Sequence, residues 1–227
     1  IEDKEDGYLF HEYLEAENTP CYFYEFIEKA KRNGLMYLGD SSLPSMYLEN
    51  LKDNAASKLY EMNDTIRQEQ YSDFLTNRRF RSTLLVRQGS EINRRLEPSV
   101  LDSIRFIPRL MAKTPIVEND NGDIEELNLV GVRTQDIGAS ATLSGKIACA
   151  CYIQLLSSSP IPLSGDELIE RVINNNSEMT EELIRNVWNE VVLSLILKGV
   201  VTITTGAPHI SKIISKKPSV FAPARVR

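Results

Sequence analysis

Histidine is scarce: the 227-residue chain holds two, His11 and His209, near opposite ends. A His–Cys or His–Asp nucleophilic arrangement would need the fold to carry one of them to a partner, and no local motif prepares that. Cysteine is almost as rare, with Cys21, Cys149 and Cys151. The odd count and the apolar setting of the last two point to reduced, buried thiols in a cytoplasmic protein. On a helix Cys149 and Cys151 would face nearly opposite sides, so they are poor joint ligands. His11, Cys21 and distant acids lack the spacing of a zinc site. There is no G-x-G-x-x-G after a strand, no P-loop and no G-x-S-x-G. No apolar run approaches the ~18 residues of a membrane span. The charged start, Ile1 to Asp6, lacks a signal-peptide core. The net charge of -6 and the pI near 5.2 argue against broad binding to nucleic acid or anionic membranes. No catalytic residue and no metal ligand is assigned.

What is present is ordinary for a globular chain: 42% hydrophobic, 26% charged, enough for one large domain or two of usual size. Burial of roughly 70% of the unfolded surface is expected at this length, so no staple is required. The acidic runs, Glu12, Glu15 and Glu17, then Glu118, Asp120, Asp123, Glu125 and Glu126, read as solvated faces or turns. The segment "DNGDIEE" lacks the alternating ligand positions of a calcium loop. The chain opens on isoleucine, which reads as a piece of a longer protein.

Tyr22 to Arg32 carries Phe23, Phe26, Ile27 and Ala30 at helical spacing, stopped by Asn33-Gly34. Leu35 to Asp40 reads as a small strand or extended turn, and Asp53 to Leu59 as a short helix. Asp64 to Asn77 predicts a stronger helix with Ile66, Tyr71, Phe74 and Leu75 recurring. Over Arg78 to Gly89, helix and strand readings compete. From about Glu97 to Leu143, "SIRFIPRLMAK" and "LNLVGVRT" look like strands of a hairpin or longer meander, with Asn121-Gly122 at an exposed tip. Ser144 is expected to cap a helix running to about Leu156. Ser164 and Glu167 form a capping box ahead of Leu168, Ile169, Val172 and Ile173. Thr180 caps a third helix, with Leu183, Val187, Val191 and Leu195 down one side and Gly199 at its stop. "VVTITT" follows as a strand. This order resembles a winged-helix module, and the residues after it read as mostly extended.

The segment least explained by packing is Glu69 to Leu85, where Tyr71, Phe74, Arg78, Arg79, Phe80 and Arg81 crowd together. Arginine forks bind carboxylates and phosphates bidentately. Two readings stand: an internal network with Asp73 or Glu69, or a surface that holds an acidic or nucleotide-like group or a partner domain.

Three ordered runs are familiar. The first, H-[DE]-x-L-E-x-x-N-x-P-x-Y-F-x-E-F, is met by His11, Glu12, Leu14, Glu15, Asn18, Pro20, Tyr22, Phe23, Glu25 and Phe26. The second is Gly34, Leu35, Tyr37, Leu38, Gly39 and Asp40. The third is Glu69, Gln70, Tyr71, Asp73, Phe74, Asn77, Arg78, Phe80, Arg81, Thr83 and Leu84. Together they resemble the methyltransferase regulatory domain of bacterial proteins, and the closing "KPSVFAPAR" is similar to the tail of the same proteins. In them the domain follows a class I S-adenosylmethionine-dependent methyltransferase domain. Neither the Gly-rich turn nor the acidic strand end of such a domain is in this sequence.

The resemblance implies a non-catalytic regulatory or substrate-recognition region. Its partners would be the catalytic domain of the same protein, a protein substrate and a second copy, with neither nucleic acid nor membrane. It implies no cofactor in this chain and S-adenosylmethionine in the catalytic domain, and its relatives include protein-lysine methyltransferases. The expected fold is α+β: a mainly helical domain over 1–96, a small β-meander over 97–143 and a winged-helix-like part over 144–227. His11, Glu15, Asn18, Tyr22, Tyr71, Asp73, Asn77, Arg78, Arg79 and Arg81 are the binding or interface candidates. The rival is a winged-helix nucleic-acid-binding regulator. Its recognition helix would carry Glu181, Glu182 and Glu190 against Arg185 and Lys198, a balance that repels phosphate.

Overall fold

The computed structural model describes residue 7 and residues 19–206, apart from 53, 95–97, 121, 134–137 and 177. The architecture is mixed α and β, with seven α-helices and three small antiparallel sheets among the described residues. The chain divides into two compact units, Ile1–Arg94 and Arg95–Arg227.

In the first unit, helix α1 (Phe23–Arg32) leads into strand β1 (Leu35–Asp40). The Glu25 carboxylate accepts the Tyr22 N–H at 2.9 Å, Lys31 and Arg32 sit in the last turn, and Gly34 takes a φ of 71° to turn the chain back. Three short elements follow: α2 (Leu43–Met46), a 3₁₀ turn (Leu48–Asn50) and α3 (Ala55–Tyr60). Helix α4 (Thr65–Thr76) starts where the Asp64 side chain accepts the N–H groups of Ile66 and Arg67, and ends at Asn77 in the left-handed region. Strand β2 (Thr83–Arg87) settles the competition over Arg78 to Gly89 for a strand: it pairs antiparallel with β1, Leu35 opposite Arg87 and Asp40 opposite Thr83. Phe23, Ile27 and Tyr37 form the core, with Ile66 and Leu85 packed against it.

The expected apolar face of α4 is corrected. Its buried residues are Glu69, Gln70, Ser72 and Asp73, while Tyr71, Phe74 and Leu75 face out. Apolar spacing alone would bury the aromatics. The opposite face wins because the core beside it holds an arginine that needs carboxylates.

In the second unit, a 3₁₀ turn (Pro98–Ser103) precedes β3 (Arg105–Pro108) and β4 (Met111–Ala112). Strands β5 (Glu126–Val130) and β6 (Ser140–Ser144) join β4 in one sheet of order β4-β5-β6. "SIRFIPRLMAK" is therefore two strands in different sheets. Helix α5 (Lys146–Ser158) begins after Gly145, whose φ is 102°, and Ser144 belongs to β6 rather than capping the helix. The strand uses the backbone that the cap would have needed.

Strand β7 (Leu163–Ser164), helices α6 (Gly165–Asn175) and α7 (Glu181–Leu197), and strand β8 (Val201–Thr204) complete the described order. The β7-β3-β8 sheet places β3 between β7 and β8, with Phe106 opposite both Leu163 and Ile203. The Ser164–Glu167 capping box opens α6, and the Thr180 side chain accepts the Leu183 N–H on α7. The buried stripe of α7 is Ile184, Trp188, Val192, Leu195 and Ile196, one position on from the expected Leu183, Val187 and Val191. Trp188 sets the phase: its indole is fully buried edge-on against Phe106, at 5.5 Å and 84°. The Tyr152 hydroxyl donates to the carbonyls of Leu110 and Val200. Asp53, Asn121 and the residues after Gly206, including "KPSVFAPAR", lie outside the described residues.

Candidate functional site

The first unit holds a buried charge cluster beneath an exposed aromatic face. Glu69 and Asp73 stand four residues apart on α4, so one helix face presents both carboxylates. Asp40 ends β1, opposite Thr83 of β2. The turn after α4 brings Arg78 and Arg81 to them, its first N–H (Arg78) bonding back to the Asp73 carbonyl at 2.9 Å.

Arg81 is the hub. Its Nε and Nη2 grip Asp73 at 2.7 and 2.8 Å, and Nη2 also donates to the Glu69 carboxylate and carbonyl at 2.8 and 3.0 Å. Its guanidinium carbon lies 3.8 Å from the centre of the Phe23 ring, a cation–π contact against the core. Burial pulls its pKa down, but the hydrogen bonds it donates to Asp73 and Glu69 outweigh that and raise it, so the side chain stays charged. Burial, with Glu69 next in effect, pushes the neighbouring Tyr37 phenol up, so it stays neutral.

Arg78 donates from Nη2 to the Ser45 carbonyl at 2.6 Å and lies 3.5 Å from Asp73 and 3.8 Å from Asp40. Asp40 in turn accepts the Ser42 N–H at 2.9 Å. Three carboxylates thus surround two guanidinium groups, all with side chains 4–15% exposed. The positive charge of these arginines is spent inside the unit.

Above the cluster, Tyr22 stacks on Tyr24 at 5.9 Å and meets Phe74 edge-on at 5.7 Å, and Phe74 meets Tyr71 edge-on at 6.1 Å. Tyr22, Tyr71, Phe74, Leu75, Leu84 and Phe80, the last 78% exposed, all face solvent. A cleft of about 760 Å³ runs between the start of α1, the end of α4 and the turn before β2. Tyr22, Phe26, Phe74, Arg78, Arg79 and Arg81 are among its lining residues. Exposed aromatics of this number mark contact surfaces on soluble proteins.

The predicted site residues divide into three groups. Tyr22, Tyr71, Asp73, Asn77, Arg78, Arg79 and Arg81 come together in this one region, with Asp73, Arg78 and Arg81 in the network below. Arg79 is exposed and forms no ion pair with the described residues, and Asn77 supplies the left-handed turn (φ 50°) that ends α4. His11, Glu15 and Asn18 lie outside the described residues. Sequence reasoning left out Asp40, Phe23 and Gln70, whose side-chain carbonyl accepts the Tyr24 N–H at 3.2 Å. Asp40 and Phe23 were visible within the familiar runs, but nothing in their spacing announced that one arginine would touch both elements. Among the described residues, no group of three or more His, Cys, Asp or Glu is placed to hold a metal, and no helix is long and apolar enough to cross a membrane.

Comparison with known proteins places this region. Residues 5–87 match the family model described as a predicted methyltransferase regulatory domain. The chain is 32% identical over 214 residues to an uncharacterized protein of Rickettsia prowazekii (strain Madrid E), covering 94% of this chain and 38% of that protein. It is also similar to the solved structure of PKMT2 from Rickettsia typhi in complex with AdoHcy. That match has a TM-score of 0.78 and 31% identity over 96% of this chain and 42% of the other. A second structure of the R. typhi protein matches at a TM-score of 0.77 and 32% identity, over 95% of this chain and 42% of the other. The chain thus spans about two fifths of the length of the relatives it matches. Residues 5–87 belong to the methyltransferase regulatory domain family.

Proposed function

We propose that this chain is the non-catalytic regulatory and substrate-recognition region of an S-adenosylmethionine-dependent methyltransferase that modifies protein, in the cytoplasm. The domain over 1–96 packs on a catalytic domain of the same polypeptide through the aromatic face. The β-rich segment over 97–143 and the part over 144–227 present a surface to a protein substrate or to a second copy. The last part is winged-helix-like in our reading, with the middle strand of its sheet supplied by β3. S-adenosylmethionine belongs to the catalytic domain, and the methyl-transfer chemistry with it.

The observation that carries this reading is the pairing of a family match over 5–87 with an aromatic face at the same region whose rings are turned outward by a buried charge network. Such a face is costly to leave in water and suits a permanent contact. More than half of the length of the relatives lies outside the match, enough for a separate domain. The R. typhi relative was solved in complex with AdoHcy, the product of methyl donation, which supports the donor class for the family.

Two measurements test it. Calorimetry of this chain with S-adenosylmethionine is expected to show no binding, and micromolar affinity would overturn the non-catalytic assignment. In the longer polypeptide, Tyr71→Ser, Phe74→Ser and Phe80→Ser together should lower methyl transfer to a lysine-containing protein at least tenfold. Far-UV dichroism should stay unchanged. Unaltered kinetics would remove the aromatic face from the reading. Arg78 and Arg81 are unsuitable probes, because both are built into the network that holds the unit together.

A further inference from the structure

Strands β1 and β2 form a two-stranded sheet whose outer edges differ. On β1 the outward backbone groups are taken. The carbonyls of Tyr37 and Leu38 accept from Arg94 at 2.6 and 3.3 Å, and the Asp40 N–H donates to the Met46 sulfur at 3.0 Å. On β2 the Gln88 N–H donates to the Gly34 carbonyl and the Ser82 carbonyl accepts the Ser41 N–H, so the even-numbered residues from 82 to 88 face β1. Alternation turns the N–H groups of Thr83, Leu85 and Arg87, with the carbonyls of Thr83 and Leu85, to the other edge. Among the described residues no strand pairs with that edge. One edge is plugged and the other is a template for a further strand.

The side chains beside the open edge describe what fits it. Thr83 and Leu84 line the aromatic cleft, so a strand laid along β2 continues the face assigned above to the domain contact. Leu84 is half in solvent and offers an apolar seat. Arg79 before the strand and Arg87 at its end are exposed and form no ion pair with the described residues, which makes both flanks cationic. We propose that an extended, acidic segment from the catalytic part of the same polypeptide adds to β2 as a third strand. Its apolar side chains cover Leu84 and its carboxylates meet Arg79 and Arg87. This rests on the function proposed above and names the element that docks there. More than half of the length of the relatives lies outside the match, ample for such a segment. Backbone bonds supply the affinity, and the flanking charges fix the register. A third strand also steadies a sheet that is marginal with two.

Amide-resolved hydrogen exchange of the longer polypeptide tests this. The expected result is exchange slowed at least about a hundredfold at Thr83, Leu85 and Arg87, as well as at Val86 and Gln88, whose N–H groups face β1. Free exchange at the first three with Val86 and Gln88 protected overturns the proposal. Protection that fades on dilution marks a second copy as the occupant and overturns it too. Arg87→Pro removes an outward donor and leaves the β1 ladder whole, so protection at Leu85 should fall at least about tenfold while Val86 keeps its own. Arg79→Glu with Arg87→Glu should lower Leu85 protection in the same way, and Arg79→Lys with Arg87→Lys should retain it. Unchanged protection at Leu85 in the proline or the glutamate variant overturns the proposal. The function above fails separately. Binding of S-adenosylmethionine to this chain removes that reading, whereas free β2 amides in a polypeptide still sensitive to the aromatic triple variant remove only the added strand.

Discussion

Arg81→Ala is the perturbation whose outcome follows most directly from the geometry. It removes four hydrogen bonds, two to the Asp73 carboxylate and two to Glu69, and the stack on Phe23. Glu69 and Asp73, whose side chains are 9% exposed, would be left as buried charges, with Arg78 at 3.5 Å from Asp73 as the remaining cation. Breaking a buried pair by removing one partner costs about 3–5 kcal/mol, a large share of the roughly 5–15 kcal/mol that holds a domain together. With a urea dependence of about 2 kcal/mol per molar, the midpoint should fall by about 1.5–2.5 M. The lone tryptophan gives a second readout. Trp188 lies in the second unit, so its emission follows that unit, while far-UV dichroism follows both. Lysine at position 81 should recover less than half of the loss, because an ammonium cannot span both carboxylates as the fork does. The triple variant Glu69→Gln, Asp73→Asn, Arg81→Met should be more stable than Arg81→Ala, because no charge is left unpaired. A dichroism midpoint for Arg81→Ala within about 0.3 M of the original would refute the reasoning.

Other expectations are simpler. Phe80→Ser should change stability by less than about 0.5 kcal/mol in thermal denaturation, since the ring is largely in solvent. Ser164→Ala should cost about 1 kcal/mol, because the hydroxyl accepts the Glu167 N–H at the start of α6. The bond from Arg105, at 2.7 and 3.0 Å, holds Glu167 below its usual value of 4.5, against the opposing effect of burial. A depressed folded pKa stabilises above the unfolded value and is lost as pH falls, so Glu167→Gln should lower stability at neutral pH, and the difference from the original chain should shrink as pH falls below about 4.5. Burial pushes the thiols of Cys149 and Cys151 up to about 11 and about 12, while Cys21 is exposed. Iodoacetamide at pH 8 should therefore modify Cys21 alone in the native protein and all three after unfolding, as read by mass spectrometry.

Much of the local structure was legible because it rests on short-range rules. The capping box of Ser164 and Glu167, the Thr180 cap, the stop at Gly199 and the strand after it depend on neighbours within a few residues. The candidate site was legible in part: Glu69, Asp73 and Arg81 lie within one run, and their charges invite a network. Phase was harder. Leu183 and Ile184 are both apolar, and only the pocket for Trp188 against Phe106 decides which stripe of α7 turns inward. Ser144 could cap a helix or end a strand, and the β5–β6 pairing decides that.

By itself the sequence determined the family of the first unit, the helix and strand inventory of most of the chain, and the crowding of arginines and aromatics between Glu69 and Leu85. Each of these is encoded in residue type and spacing. Only the tertiary structure decided that α4 buries its acids and shows its aromatics. Apolar periodicity predicts the reverse, and a charge demand from Arg81, held against Phe23 and within 4.0 Å of Asp40, overrides it. That reversal needs contacts between residues more than forty positions apart, which no local pattern carries.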